Sequence, residues 1–264
     1  MIRKMASEDL KLAWELADAA DEITMARFRA DDLVVETKPD MTPVSEADRA
    51  VERRVHELLS QRRPGDGLLG EEFGGDELGG RRWIIDPIDG TKGYVRGMPV
   101  WATLLALEEE GEITTAVVSA PAMGRRWWAT RGRAAFTNRA TAVEQSRPLR
   151  VSAIAALEDA QVCYGDVDWY ERTGHLDGLL ALIRGCWRSR GFGDFWQYML
   201  VAEGLAEVAS DPSVKLWDLA APMLVVQEAG GRFSDFTGLE TPDGGSGLAS
   251  NGVLHDAALS ILAA

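Results

Sequence analysis

Trp83-Ile84-Ile85-Asp86-Pro87-Ile88-Asp89-Gly90-Thr91 sets two acids directly behind an apolar run that reads as a short buried strand. Burying either acid as a bare anion is costly unless it is paired or bound to a metal. Pro87 forces Asp86 into an extended conformation, and the strand is expected to end at Asp86-Pro87. Gly90 then lets the backbone turn sharply. The expected result is a rigid strand end that aims Asp86, Asp89 and the Thr91 hydroxyl into one small volume. All of these donors are oxygens, and oxygen-only, carboxylate-rich coordination suits Mg²⁺ or Mn²⁺ rather than Zn²⁺.

On the N-terminal side, Leu10, Ala13, Trp14, Ala17 and Ala20 recur at helical spacing and predict an amphipathic helix. Lys38 to Pro43 is a loop by its prolines. Ser45 followed by Asp48 reads as a capping box, opening a second helix with Ala47, Val51, Val55 and Leu58 on its buried face. That helix stops near Arg63-Pro64-Gly65. Leu68-Leu69 is a short apolar run ending in Gly70-Glu71-Glu72, before a glycine-rich loop from Gly74 to Gly80. On the C-terminal side, Val100 to Leu107 and Ile113 to Ser119 form a hairpin turning at Glu110-Gly111. Trp127 to Thr130 and Ala134 to Thr137 form a second pair around Gly132.

A second half begins near Leu149, giving expected subdomains of 1–148 and 149–264. It holds a helix from Phe195 to Leu205 that carries Gly204, and another from Asp218 to Ala229 closed by Gly230-Gly231. A strand at Arg232 to Ser234 follows, and Gly244-Gly245 leads to a last short strand and helix. Strands mixed with helices, without strict alternation, favour a layered α+β fold over a doubly wound parallel sheet.

Further acids sit at comparable places. Glu71 and Glu72 end an apolar run, Asp40 and Asp48 flank a loop-to-helix turn, and Asp218 lies at an expected helix start. Helix dipoles and caps explain each singly, but their combination is harder to explain that way. The chain has 264 residues and a formal net charge of −14, which repels nucleic acid backbones and any anionic substrate alike. A bound divalent cation reverses the field locally. The sequence has no apolar run of the length a spanning helix needs. Met1-Ile2-Arg3-Lys4 leads into charged sequence rather than a secretory signal, so the cytoplasm is expected. Cys163 and Cys186 form no metal-spaced pair and read as reduced thiols. His56, His175 and His255 read as structural or exposed, and the nine tryptophans as core and interface packing.

Lys38 to Asp48, Gly70-Glu71-Glu72, Trp83 to Thr91 and Leu216-Trp217-Asp218-Leu219-Ala220-Ala221 through Glu228-Ala229-Gly230-Gly231 together resemble the inositol monophosphatase superfamily. Val95 to Leu104, Gly191-Phe192-Gly193-Asp194-Phe195-Trp196 and Val201 to Gly204 look most like its histidinol-phosphatase branch. The resemblance implies an α/β/α/β/α sandwich of the sugar-phosphatase type and a Mg²⁺-dependent phosphate monoester hydrolase. By the same resemblance, Glu71, Asp86, the Ile88 carbonyl and Thr91 hold a first metal, and Asp86, Asp89 and Asp218 a second. Asp48 supports a weaker third ion and bonds Thr91. That gives two to three Mg²⁺, with Mn²⁺ as a substitute. Glu71 and the Asp48–Thr91 pair are the expected catalytic groups, orienting an attacking water and accepting its proton. Gly90 and Thr91 match phosphate-cradling amides, in keeping with anion binding at helix starts. Arg190, Gly193 and Asp211 align with the substrate-facing wall, where Asp211 or Asp194 attracts the amine of histidinol phosphate. Asp194 equally suits an N-cap at Phe195. The alternatives are an inositol 1-phosphate, sugar or nucleotide phosphatase, and a non-catalytic regulatory protein. The expected partners are a small phosphorylated metabolite and a second copy in a homodimer, with no nucleic acid and no membrane. Gly93-Tyr94 departs from the family pattern of Asn or Ser followed by Phe, which bears on substrate preference but removes no metal ligand.

Overall fold

The computed structural model describes residues 7–39, 41–75, 80–139 and 146–263. Met1 to Lys4, Asp40 and most of the expected glycine-rich loop lie outside them. The chain divides into two compact units, one of residues 1–131 with 137–147 and one of residues 132–136 with 148–264.

The first unit opens with α1 (Glu8–Arg27), capped by the Ser7 side chain on the Leu10 amide. All five apolar positions read from the sequence are buried in it. A short hairpin, β1 (Val35–Thr37) and β2 (Pro43–Ser45), leads to α2 (Glu46–Arg62). Its buried face runs through Ala47, Val51, Val55 and Leu59. Leu59, not Leu58, completes that face, because residues four apart stay on one side of a helix. Then come β3 (Gly67–Gly70), β4 (Gly74–Gly75), β5 (Arg81–Asp89) and α3 (Thr91–Val95). They are followed by β6 (Ala102–Glu109), β7 (Glu112–Ala120), β8 (Arg125–Thr130), β9 (Ala135–Arg139) and β10 (Arg147–Pro148). The strands form one eight-stranded sheet in the order β10-β9-β8-β7-β6-β5-β3-β4. It is antiparallel from β5 to β8, while β3 runs parallel to β5. The β6–β7 hairpin turns at Glu110 (φ 50°) and Gly111 (φ 83°), two left-handed residues that match the twist of the strands.

Helix α1 is fastened to this sheet by ion pairs around the buried Arg126. Arg126 on β8 donates to Asp18 (2.8 Å) and Asp21 (2.6 Å), and its Nε donates to Ser119 (3.0 Å). Trp14 meets Trp128 edge-on, with centroids 5.5 Å apart. The start of β5 is held by Arg81 against Asp66 and Asp9 and by Trp83 Nε1 on Asp66 (2.9 Å).

The second unit contains β11 (Gln161–Tyr164), α4 (Val167–Thr173), α5 (Leu176–Gly185), β12 (Arg188–Gly191) and α6 (Asp194–Ala202). It continues with β13 (Val208–Asp211), α7 (Leu216–Glu228), β14 (Arg232–Ser234), β15 (Gly247–Ser250) and α8 (His255–Leu262). The five-stranded sheet has the order β12-β11-β13-β15-β14, with β12, β11 and β13 mutually parallel. Helix α6 stops at Ala202, before the Leu205 end expected from the sequence, because Gly204 turns left-handed at φ 71°. Helix α7 starts at Leu216, two residues before the expected Asp218. The Glu228 carboxylate accepts the successive amides of Gly132, Arg133 and Ala134 at 2.7, 3.1 and 2.9 Å, which accounts for the grouping of 132–136 with this unit. Both cysteines are free thiols. No helix among the described residues is long and apolar enough to cross a membrane.

His255 is fully buried between two hydroxyls, Ser234 on Nε2 and Ser250 on Nδ1, both at 2.9 Å. Burial, reinforced by the nearby Arg232 charge, pushes its imidazole down to about 4. The unfolded chain takes up this proton below about 6.5 and the folded chain does not. The stabilisation is therefore complete above about 6.5 and is lost as pH falls toward 4. Thermal melts from pH 7 to 5 are predicted to lose about 1–2 kcal/mol through this group. His255→Gln should flatten that slope, and an unchanged slope would contradict the assignment.

Candidate active site

Asp86 and Asp89 are three residues apart, and on a regular strand they would point to opposite faces. Strand β5 does not stop at Asp86-Pro87, as its sequence suggested, but continues to Asp89 through a change of register. Asp86 pairs with Leu104 and Asp89 with Ala102 on β6, so three steps on β5 match two on its neighbour. One extra residue is thus accommodated as a bulge, and the two acids come to the same face. Pro87, which has no amide to give the ladder, is suited to that bulge. Its carbonyl is fixed by the buried Thr103 hydroxyl at 2.8 Å. The Ile88 amide donates to Asp86 Oδ1 at 2.9 Å.

The outcome is a pair of carboxylates, 2% and 8% exposed, that offer oxygens within 4.8 Å of each other. At an effective dielectric constant of about 20, two unit charges at that separation repel by about 3 kcal/mol. A divalent cation between them turns the repulsion into attraction. The surrounding donors are oxygens as well, namely the Ile88 carbonyl and the Thr91 hydroxyl, which meet at 2.8 Å. Hard oxygen donors without thiolate or imidazole fit Mg²⁺.

Gly90 adopts φ 87°, where a side chain would be strained, and starts α3. This places Thr91 at the first helical position beside Asp48, with Thr91 Oγ1 to Asp48 Oδ1 at 3.4 Å. Asp48 is held in the capping box read from the sequence. Its Oδ2 accepts the Ser45 amide (2.8 Å) and hydroxyl (2.6 Å), which leaves Oδ1 toward Thr91. Burial, assisted by the charges of Glu72 and Glu71 and opposed by Ser45, pushes its carboxyl up to about 6.

Glu71 follows β3, and Lys38 bridges Glu71 and Glu72 with 2.6 Å contacts to each. Sequence reading missed Lys38, and it missed Glu52. Glu52 lies on α2, four residues after Asp48, and is 1% exposed. Its carboxylate accepts the amides of Glu72 (2.8 Å) and Phe73 (3.0 Å). The available signal was an acid that shares the helix face of Asp48, a position where a solvated charge does not belong.

The departure at Gly93-Tyr94 is absorbed by packing. Tyr94 is buried against Phe28 and Trp101, and its hydroxyl donates to the Thr24 carbonyl at 2.8 Å. A Cβ on Gly93 would lie 3.2 Å from the Val100 carbonyl.

In the second unit, Asp211 ends β13 and is 8% exposed. Tyr198 (2.9 Å) and Gln197 both donate to its Oδ2. Its Oδ1 faces Gly165, where a Cβ would overlap it, and a Cβ on Gly193 would lie 3.3 Å from the Gly165 Cα. Asp211, Gly165 and Gly193 therefore gather at the carboxyl ends of three parallel strands, the usual place for ligands on such sheets. Burial and then the charges of Asp194 and Asp218 hold the Asp211 carboxyl well above the usual range. Asp194 is not the N-cap of α6. Gly193 holds that position at φ 68°, and Asp194, with φ 51°, begins the helix itself. Arg190 is exposed on edge strand β12 and donates to the Ser189 carbonyl at 2.7 Å. Asp218 is the third residue of α7 and accepts the Lys215 amide at 2.8 Å.

The sequence profile of the inositol monophosphatase family matches residues 5–264. A histidinol-phosphatase of Mycobacterium tuberculosis is 52% identical over 98% of this chain and 99% of its own length. One of Streptomyces coelicolor is 52% identical over 97% of each. Among solved structures, the extragenic suppressor protein suhB of Bartonella henselae superposes with a TM-score of 0.88 at 29% identity. It covers 97% of this chain and 98% of that one.

Tyr94→Phe removes one buried hydrogen bond and keeps the aromatic contacts. It is predicted to cost about 1 kcal/mol in chemical denaturation and to leave turnover unchanged. A large loss of turnover would place Tyr94 in the chemistry.

Proposed function

The chain belongs to the inositol monophosphatase family and is a phosphoric monoester hydrolase, and from that premise we propose that it hydrolyses histidinol phosphate with Mg²⁺. The observation that carries the substrate reading is the buried acid Asp211, made still harder to ionise by Asp194 and Asp218. Such a carboxyl is relieved by a cationic partner, which an amino alcohol phosphate supplies and inositol 1-phosphate does not. Identity of 52% to two histidinol-phosphatases supports the same reading.

The proposed metal donors are Glu71, Asp86, the Ile88 carbonyl, Asp89, Thr91 and Asp218, with Asp48 supporting a third ion. The bound Mg²⁺ supplies Lewis acidity and lowers the pKa of water at the site; two to three ions are proposed, with Mn²⁺ as a replacement. In this reading Glu71 and the Asp48–Thr91 pair orient the attacking water and take its proton. The amides that open α3 at Gly90 and Thr91 cradle the phosphate. Asp211 binds the substrate amine, and the bare Gly193 leaves room beside it, with Arg190 at the rim. Residues 1–148 supply most metal donors and 149–264 the substrate wall. The working form is taken to be a cytoplasmic homodimer.

Asp86→Asn is predicted to lower kcat by at least about 10³-fold, since it removes several kcal/mol of charge stabilisation, while circular dichroism stays native. Near-normal turnover would refute the site. Asp211→Asn should raise KM for histidinol phosphate about 10- to 100-fold, the size of a lost charge-assisted hydrogen bond, and barely affect a phosphate ester without an amine. Higher kcat/KM for inositol 1-phosphate in the unaltered protein would replace the substrate reading with the inositol one.

A further inference from the structure

The Gly70–Phe73 turn carries Glu71 at the tip of the β3–β4 hairpin, where Gly70 pairs with Gly74. Gly70 ends β3, Glu71 is partly exposed, and Phe73 is 58% exposed. Beyond this pairing and the Lys38 contacts to Glu71 and Glu72, a further hold on the turn comes from α2. Glu52 on α2 reaches across and takes the amides of Glu72 and Phe73, one with each carboxylate oxygen. Gly70 has no side chain at the place where the same carboxylate lies, and a Cβ there would overlap it. Glu52 is on the same helix as Asp48, one turn further on, so a single rigid element sets both Asp48 and the turn bearing Glu71.

We infer that Glu52 is a positioning residue that aims the Glu71 carboxylate at the metal site, by gripping the following backbone through two amides while Gly70 makes room for it. The inference rests on the reading of Glu71 as a metal ligand. Three features favour it over a general packing role. The carboxylate spends both oxygens on backbone amides and none on a side chain. Those amides belong to the two residues directly after Glu71. And an acid 1% exposed, close to Glu71 and Glu72, is an expensive way to fill space when an apolar residue would serve. A carboxylate that captures two adjacent amides fixes the backbone direction, which a leucine cannot do. Ligand-orienting contacts of this kind change metal affinity by about 10–100-fold when removed.

Binding of Mn²⁺ to the metal-free full-length protein, followed by electron paramagnetic resonance of the free ion, tests the role without reference to turnover. Glu52→Gln keeps the size but has one acceptor oxygen, and its NH₂ group faces the second amide. It is expected to fold, by circular dichroism, and to bind Mn²⁺ about 10–100-fold more weakly. Glu71→Gln should also weaken binding. The double variant should bind no more weakly than Glu71→Gln alone, because Glu52 acts through Glu71. Unchanged affinity in folded Glu52→Gln overturns the inference, and so do additive losses, which would make Glu52 a separate source of negative charge. Full affinity in Glu71→Gln is a different result: it removes the ligand assignment and the positioning role with it. Where Glu52→Gln does not fold, Glu52→Asp keeps the charge and withdraws the carboxylate by one methylene. A comparable loss supports the inference, and wild-type affinity in that variant overturns it.

Discussion

Two carboxylates forced to the same face of one strand are the constraint around which the first unit is arranged. Asp86 and Asp89 are buried and close enough to repel. Their side-by-side placement depends on the extra residue that β5 carries relative to β6. Every nearby device keeps that bulge in one geometry. Pro87 asks for no ladder hydrogen bond, Thr103 holds its carbonyl, and the Ile88 amide holds Asp86. Gly90 then turns the chain into α3 with a backbone conformation that a side chain would strain. The arrangement is stable alone only at an electrostatic cost, and a hard divalent cation converts that cost into binding energy.

The two units contribute different chemistry to the proposed reaction. The first offers acids that are tied to backbone amides or to a capping box, so their directions are set before any ion arrives. The second offers Asp211 among glycines at the ends of parallel strands. There the acid is hard to ionise, and the space beside it is kept bare. Fixed acids suit metal binding, while a buried acid beside glycines suits selection among substrates. This division explains why the proposed metal donors are so legible in a sequence and the proposed substrate wall so much less so.

Much of the fold could be read from residues alone, because local physics determined it. The α1 stripe, the Ser45–Asp48 capping box, the left-handed hairpin turn at Glu110-Gly111 and the glycine end of α7 depend on neighbours a few residues away. What escaped depended on partners far along the chain. The strand seemed to end at Pro87 because the bulge exists only against the register of β6. Glu52 carried no reading at all, because its amide partners lie some twenty residues later in sequence. Lys38 read as part of a loop, though it pairs with Glu71 and Glu72. Of the two readings of Asp194, the N-cap failed, because the left-handed geometry at Gly193 and Asp194 has no sequence rule for an acid.

The central claim, that the acids at the end of β5 exist to hold divalent ions, is tested most directly by anomalous diffraction from crystals grown with Mn²⁺. The account predicts anomalous peaks with carboxylate oxygens of Asp86 and Asp89 about 2.1 Å away, and with Asp218 among the ligands of one of them. Saturating Mn²⁺ that leaves no peak beside Asp86 and Asp89, with both acids instead hydrogen-bonded only to protein and water, would contradict it.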